Sequence, residues 1–173
     1  MPSGIIDSFT KMSATIGSDH AYIHLGKGYV LIGDTASLAS GASESIYFKT
    51  PANGKIIHFR PARISSSANS LSCTVAEGSV ISGGTAAKPR NLNRMSPDAS
   101  TVVATTAATL TTTGAIIYKD AVGSGGAFNR IGGDAAAGEE RVLKPDTVYS
   151  ITFTNTGATT ATVATYTLFW YEE

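Results

Sequence analysis

Apolar and polar residues alternate along several short segments of this chain, which is the pattern of half-buried β-strands. In ESIYFKT (44–50), isoleucine and phenylalanine fall on one face of the predicted strand, and tyrosine and lysine fall on the other. The same alternation runs through VYSITFTNT (148–156) and ATVATYTLFWYEE (161–173), where aromatic residues share one face. Because burying apolar surface contributes ~25 cal/mol per Å², we predict that these last two segments form a core pair.

Other segments are predicted to be strands because β-branched and aromatic residues dominate them. Gly26 and Gly28 predict a tight turn between the strand at 20–25 and the strand at 28–35. Asn53-Gly54 favours positive φ, so the turn at 51–54 predicts a hairpin that joins strand 44–50 to strand 55–60, with Pro61 ending the pairing. The additional predicted strands are HAYIHL (20–25), GYVLIGDT (28–35), KIIHFR (55–60), SLSCTVAEG (70–78), STVVATTAATLTTT (100–113) and GAIIYKD (114–120).

These elements predict an all-β fold. Roughly nine or ten short strands recur at intervals of about ten residues, without a convincing amphipathic helix, which is typical of an antiparallel β-sandwich with a jelly-roll-like arrangement. A chain of 173 residues buries enough surface for one domain. Residues 1–19 have no clean period and predict an N-terminal arm, so residues 20–173 form the single sandwich domain.

Charge and composition exclude some classes of partner. The chain carries 13 basic and 13 acidic residues, so it lacks the long-range field that would hold it on a nucleic acid or an anionic membrane. Charged residues make up only 15% of the chain, which suits a protein partly buried in an assembly. Neither a leader nor a membrane-length apolar run is present, so we expect a protein made and kept soluble in a cytoplasm.

The reactive residue types do not form a recognisable catalytic or metal pattern. Cys73 alternates with apolar residues and is predicted to be a buried core thiol. His20 and His24 lie four apart, and in a strand this separates them by some 13 Å, too far to share one zinc. With His58 they are interpreted as structural or surface histidines. No GxSxG motif is present, so no serine nucleophile is indicated.

Two further segments have simple structural interpretations. The glycine-rich stretch at 123–138 lacks the GK[ST] ending of a phosphate-binding loop and predicts a flexible loop. Glu139 and Glu140 are adjacent, so they point to opposite faces of a strand and are interpreted as two solvated acids. The sequence therefore predicts no catalytic residue, no cofactor and no metal, and a protein that is not an enzyme.

The most unusual stretch is GGTAAKPRNLNRMSP (83–97), which packs glycines, prolines, asparagines and cations together and contains no acid. Its asparagines are suited to hydrogen-bonding local backbone, and its cations to pairing with carboxylates of an acidic partner. An ordinary connector is the alternative. The candidate residues for a capsid or subunit interface are Lys88, Arg90, Asn91, Asn93 and Arg94.

Several short motifs, taken together, resemble a family of small tailed-phage virion proteins encoded beside the major capsid gene. The resemblance covers about residues 20–172, and the loop is its most distinctive part, although Leu92 and Met95 depart from the family pattern. The motifs are IHLGK (23–27), Thr50-Pro51, His58-Phe59, Glu77-Gly78, GGTAAKPRNLNRMS (83–96), LKPDTVY (143–149), Thr-Asn-Thr (154–156) and Trp-Tyr-Glu (170–172).

The resemblance implies a capsid decoration, or cement, protein that forms a homotrimer and binds the major capsid protein. Its expected location is the capsid surface of a virion assembled in the host cytoplasm. A receptor- or carbohydrate-binding module of a tail fibre is the alternative. That alternative predicts an exposed aromatic platform among Tyr22, Tyr29, Tyr47, Tyr118 and Phe128. A jelly-roll enzyme would instead need clustered histidines and acids.

Overall fold

The computed structural model describes residues 5–6, 13–14, 18–68, 70–122, 130–131 and 140–173. Strands dominate these residues, as the alternating sequence pattern predicts. The elements in chain order are β1 (Ile5–Ile6), β2 (Ser13–Ala14), α1 (Ser18–His24), β3 (Gly28–Asp34), β4 (Ser43–Lys49), β5 (Ile57–Ser66), β6 (Leu71–Glu77), β7 (Val80–Ser82), β8 (Thr85–Ala87), β9 (Arg90–Asn91), β10 (Val103–Thr106), β11 (Thr109–Thr112), β12 (Ala115–Val122), β13 (Arg130–Ile131), β14 (Arg141–Leu143), β15 (Val148–Asn155) and β16 (Ala164–Glu172).

Two antiparallel sheets form the body of the protein. The first sheet has the order β12-β6-β15-β4-β10-β8, and the second has the order β13-β5-β16-β3-β9, with β14 also paired to β5. Two smaller pairs, β1 with β2 and β7 with β11, lie outside these sheets. The prediction of an all-β antiparallel sandwich is confirmed.

The core lies between the inner faces of the two sheets. β15 and β16 belong to opposite sheets, and the rings of Phe153 and Tyr166 stack across the interface with centroids 5.4 Å apart. Phe48 of β4 meets Trp170 edge-on at 5.2 Å. Since both segments contribute their aromatic faces to one core cluster, the prediction that they form a core pair is confirmed, with the two strands packed face to face across the sheets. The gap between Phe48, Tyr149 and their neighbours is too small to admit water.

The predicted hairpin between 44–50 and 55–60 is wrong. The turn residues behave as expected, with Gly54 at φ +79°, but β4 and β5 lie in different sheets. β4 pairs with β15 and β10, while β5 pairs with β16, β13 and β14. Residues 50–56 therefore cross from one sheet to the other. Turn chemistry identifies a change of direction but does not choose the partner strand.

The prediction that Pro61 ends the strand pairing is wrong. β5 continues to Ser66, and its register with β16 shifts between Thr167 and Phe169, which pair with Arg63 and Arg60. Two residues of β5 thus face one residue of β16, which is a β-bulge. A bulge accommodates proline because the residue at the irregularity does not have to donate to the ladder.

The predicted strand at 20–25 is a helix instead. α1 ends in a Schellman motif: the amide of Lys27 donates to Tyr22 O at 2.9 Å, the amide of Gly26 donates to Ile23 O at 3.0 Å, and Gly26 adopts φ +71°. This glycine arrangement is characteristic of helix C-termini. α1 has seven residues, and in the described part of the chain no helix is long and apolar enough to span a membrane.

The threonine-rich segment 100–113 divides into β10 and β11. Ala107, at φ +53°, turns the chain between them. Tyr47 of β4 points away from the core, as predicted, but it is buried (2% exposed), and its hydroxyl donates to Ala108 O at 3.4 Å. On the same outer face, Ser150 and Ser79 hydrogen-bond at 2.9 Å. The chain around the β7–β11 pair thus covers part of this face.

Two predicted regions lie largely outside the described residues. Of the arm at 1–19, the structure describes only β1, β2 and the start of α1, which begins at Ser18. Of the glycine-rich loop at 123–138, it describes only Arg130 and Ile131 in β13.

Candidate interface loop

The candidate loop crosses from one sheet to the other at the side of the sandwich. β8 forms an edge of the first sheet by pairing with β10, and β9 forms an edge of the second sheet by pairing with β3. Lys88 and Pro89 lie between these two strands. Proline suits the crossing because it has no amide hydrogen to leave unpaired. The position of the loop is thus set by strand pairing on both sides.

Asn91 and Asn93 hold the backbone that follows. The side-chain Nδ2 of Asn91 donates to Gly26 O at 2.7 Å and to Asp98 O at 3.1 Å, and its Oδ1 accepts from the backbone amide of Asn93 at 2.9 Å. Asn93 repeats this pattern, donating to His24 O at 3.0 Å and accepting from the Met95 amide at 3.1 Å. The structure therefore confirms the prediction that the asparagines bind local backbone, and they also attach the loop to the end of α1.

Glu172 anchors the chain immediately after the loop. Its carboxylate is buried, 2% exposed, and accepts from the hydroxyl of Ser100 at 2.7 Å and from the hydroxyl and amide of Thr101 at 2.6 and 2.9 Å. Lys55 Nζ lies 3.4 Å away. Burial raises the pKa of Glu172, but these hydrogen bonds and the lysine charge outweigh it and leave the pKa below its usual value. A charged acceptor therefore joins residues 100–101 to the C-terminal strand.

The five candidate residues consequently fall into two groups. Asn91 is buried and Asn93 is half-buried, and both are engaged within the chain. Lys88, Arg90 and Arg94 are exposed. Among the described residues none of these three cations forms an ion pair, and Arg94 makes one long hydrogen bond, 3.4 Å, to Asn91 O. The loop thus presents cationic groups from a backbone held by internal hydrogen bonds.

Apolar side chains lie beside these cations. Met95, inside the loop, is 92% exposed, and Leu25, at the end of α1, is 64% exposed. The bond from Asn93 to His24 O brings the end of α1 against the loop. The combined surface, residues 24–25 and 88–95, therefore mixes exposed cations with exposed apolar groups; we refer to it as the loop surface.

The predicted separation of His20 and His24 is wrong, because they lie on a helix rather than a strand. One helical turn brings their Nε2 atoms to 2.9 Å. Both side chains are exposed. Within the part of the chain that the structure describes, no group of three or more histidine, cysteine, aspartate or glutamate side chains could hold a metal ion.

Glu140 is not the freely solvated acid predicted from the sequence. It accepts from His58 Nδ1 at 2.7 Å, from Arg60 Nε at 3.0 Å and from the Tyr171 hydroxyl at 2.8 Å. Burial raises its pKa, yet these donors outweigh burial and lower the pKa below its usual value. His58 Nε2 lies 3.6 Å from Glu173, beyond hydrogen-bonding distance. Sequence reasoning missed this cluster because its members converge only when β5, β14 and β16 pair.

Tyr22 extends the same cluster into a column of stacked rings. The ring of Tyr171 stacks on Tyr22 at 4.4 Å on one side and on His58 at 4.4 Å on the other. The hydroxyl of Tyr22 donates to Glu173. These contacts dock α1 on the outer face of the second sheet, and they favour a structural role for His58.

Cys73 is the buried thiol that the sequence predicts. It lies in β6 between Leu71 and Val75, and all three side chains face the core. Burial raises the pKa of the thiol to about 12. Since the thiolate is the reactive form, Cys73 is unsuited to nucleophilic chemistry.

The aromatic residues do not form the exposed platform expected of a carbohydrate-binding module. Tyr29 and Tyr47 are buried. Tyr22 stacks on Tyr171, and the guanidinium of Arg141 lies over the ring of Tyr118 at 4.4 Å. The fifth member, Phe128, lies outside the described residues.

Many residues of the phage-like motifs form contacts within the fold. Thr50 donates to Lys144 O at 2.6 Å, and Glu77 accepts from Lys144 Nζ at 2.6 Å and from Tyr149 at 3.0 Å. These contacts join strands that are distant in the sequence.

Comparison with known proteins returned no match to any protein-family model, curated protein or solved structure.

Proposed function

We propose that this chain is a structural protein of a phage virion, which decorates the capsid shell and stabilises it by binding the major capsid protein as an oligomer. The observation that carries the proposal is the loop surface, where Lys88, Arg90 and Arg94 are exposed without acidic partners in the described structure. The motif resemblance supplies the class of partner.

The internal hydrogen bonds of the loop favour binding. Asn91 and Asn93 hold the backbone in one conformation, so less conformational entropy is lost when a partner docks. The cationic side chains remain free to meet carboxylates, and guanidinium groups bind carboxylates in a bidentate manner. The proposed partner surface is therefore acidic at the positions that face Arg90 and Arg94.

Met95 and Leu25 add an apolar component to the same surface. Protein interfaces commonly combine a desolvated apolar centre with a polar rim. Met95 suits a contact whose shape is set by the partner, since its side chain is unbranched and adaptable. The departure of Met95 from the phage-like motif pattern is thus assigned to partner contact, whereas Leu92 is only partly exposed.

Oligomerisation would strengthen capsid binding. If each subunit of a homotrimer contributes one loop surface, the second and third contacts form at high effective concentration, and modest single contacts give high occupancy. The low charge of the chain is consistent with a surface that is partly covered in an assembly. The homotrimer and the jelly-roll connectivity remain predictions, as does the capsid-surface location.

The tail-fibre alternative has less support. It required an exposed aromatic platform, and the four described residues of that set are buried, stacked or covered by Arg141. Cationic loop residues with an adjacent exposed methionine suit a protein surface that combines carboxylates with apolar groups.

The test is co-sedimentation of the purified protein with expanded capsids that lack it. Arg90→Ala and Arg94→Ala are expected to weaken capsid binding or oligomer assembly by about fivefold or more each, because buried arginine contacts commonly contribute over 1 kcal/mol. Arg63→Ala is the matched control, since Arg63 is also exposed but lies on β5, away from the loop. Far-UV circular dichroism should be unchanged in all three variants.

Sedimentation of the free variants separates the two kinds of interface. Loss of oligomer assembly would place the arginines between subunits, whereas an intact oligomer with lost capsid binding would place them against the shell. Virions that lack the protein should also show lower resistance to heat. If the wild-type protein does not bind capsids, or if its removal leaves capsid stability unchanged, the decoration role is refuted. If the wild-type protein binds capsids and both arginine variants bind and assemble as well as the wild type, the loop is a connector.

A further inference from the structure

The exposed face of α1 presents two histidines one turn apart. His20 and His24 lie at positions i and i+4, their ring centroids are 4.6 Å apart, and their Nε2 atoms are 2.9 Å apart. At this distance the two nitrogens can share a hydrogen bond, and both rings lie on one exposed helix face, because residues four apart are neighbours on a helix. The docking contacts of α1 use Tyr22 instead, so the histidine face is left accessible.

The separation of the two nitrogens matches the bite of a single metal ion. Zinc–imidazole bonds are about 2.0–2.1 Å long, so two such ligands at right angles place their nitrogens about 2.9 Å apart, and a tetrahedral pair places them about 3.3 Å apart. We propose that His20 and His24 form a two-histidine binding site for a divalent transition-metal ion of the zinc, nickel and copper group.

The ligand chemistry selects this class of ion. Imidazole nitrogens suit Zn²⁺, Ni²⁺ and Cu²⁺, whereas Ca²⁺ and Mg²⁺ prefer oxygen ligands. Because no third histidine, cysteine or acid completes the set among the described residues, the remaining coordination positions are open to water or to a side chain of another molecule. The site is thus suited to reversible binding or to bridging two chains.

The sequence context distinguishes this pair from a hydrolytic centre. Metalloproteases of the HExxH type place a glutamate directly after the first histidine of the same helical spacing, where it acts as general base. Here that position is Ala21. The pair therefore binds a metal without the base that would activate a bound water.

The protein holds the backbone of this site in place at one end. Asn93 donates to His24 O at 3.0 Å, and the Schellman motif at Gly26 ends the helix directly after it. A metal bridging one turn favours the helical state of residues 20–24, since a seven-residue helix has little stability alone. Metal binding is therefore expected to stabilise α1 against its docking strands.

The test is isothermal titration of the 173-residue chain, without a tag, with Zn²⁺ at neutral pH. We expect one Zn²⁺ per chain, with affinity reduced about tenfold or more in His20→Asn and in His24→Asn, because each variant loses one of two protein ligands. The double variant His24→Leu/Leu25→His is the matched control. It keeps the number of histidines but moves one out of the i, i+4 register, at a position where Leu25 is exposed, and it should bind as weakly as the single variants.

Circular dichroism and thermal unfolding without metal establish that each variant is folded, which makes a loss of binding attributable to the ligands. Broadening or shifts of the His20 and His24 imidazole NMR signals by substoichiometric Cu²⁺ provide a second readout. The proposal is overturned if the wild-type chain binds no Zn²⁺, if the asparagine variants bind as well as wild type, or if the out-of-register variant retains full affinity. None of these outcomes depends on capsid binding.

Discussion

Replacing Glu172 by glutamine tests whether the buried carboxylate holds the loop and the C-terminal strand together. Glu172 is 2% exposed, and its oxygens accept from the Ser100 hydroxyl and from the hydroxyl and amide of Thr101. Glutamine preserves the shape but removes the charge and replaces one acceptor oxygen by a donor. One of these bonds must be re-formed with reversed polarity, and the others become neutral.

The expected loss of stability follows from these contacts. Hydrogen bonds to charged groups contribute about 1.5–3 kcal/mol and neutral ones about 1 kcal/mol, so weakening three bonds costs about 3 kcal/mol. Relief from burying a charge offsets part of this loss. We therefore expect Glu172→Gln to lower the free energy of unfolding by about 2 kcal/mol, equivalent to about 4–8 °C in Tm for a chain of this size.

Urea unfolding followed by tryptophan fluorescence measures this change, since Trp170 lies two residues from the substitution and its indole nitrogen contacts Ser100 at 3.1 Å. Glu173→Gln is the matched control. Glu173 is adjacent but exposed, and we expect it to cost under about 1 kcal/mol. If Glu172→Gln loses no more stability than Glu173→Gln, the carboxylate does not hold the segment and the reasoning is refuted.

The stability difference should also depend on pH with a definite sign. The folded-state pKa of Glu172 lies below its usual value, so its charged form stabilises the fold above the unfolded-state pKa of about 4.3. This contribution is lost as the pH falls from that value through the folded-state pKa. The gap between wild type and Glu172→Gln should therefore be constant from neutral pH to about pH 5 and should narrow in stronger acid. A gap that widened on acidification would contradict the assignment.

Two further predictions concern the interior. Cys73 should not react with a thiol reagent in the folded protein at mildly alkaline pH but should react fully in guanidinium, because burial raises its pKa to about 12; rapid labelling of the native protein would contradict this burial. Gly114→Ala should lower stability by about 2–4 kcal/mol, since the new methyl group would overlap the backbone carbonyl of Glu77. Gly54→Ala, with positive φ but open space, should cost only about 1 kcal/mol; equal losses in urea unfolding would refute the steric explanation.

The alternation of apolar residues correctly predicted most strands and their buried faces. In β15 and β16, tyrosine, isoleucine, phenylalanine, leucine and tryptophan recur at every second position, and these side chains line the core. Period-2 alternation is a local property of the chain, so it can be detected without knowing any partner strand.

The loop shows how far local chemistry extends. Short polar side chains such as Asn91 and Asn93 bind backbone groups within a few residues, and this preference was evident from the residue types alone. Their bonds to the end of α1 were not evident, because the preceding segment had been predicted to be a strand. The wrong strand prediction at 20–25 and the missed bonds to α1 have one source: HAYIHL is too short for its periodicity to distinguish a helix from a strand.

The sequence by itself thus determined that the chain forms strands, which faces of those strands are buried, and where glycines and asparagines turn the backbone. Only the tertiary structure decided that β4 and β5 belong to opposite sheets, that α1 docks through Tyr22 on Tyr171, and that Glu140 and Glu172 each collect several donors. The physical reason is range. Alternation and turn conformation depend on neighbouring residues, whereas pairing partners, helix docking and charged clusters depend on groups that meet only when distant strands are assembled.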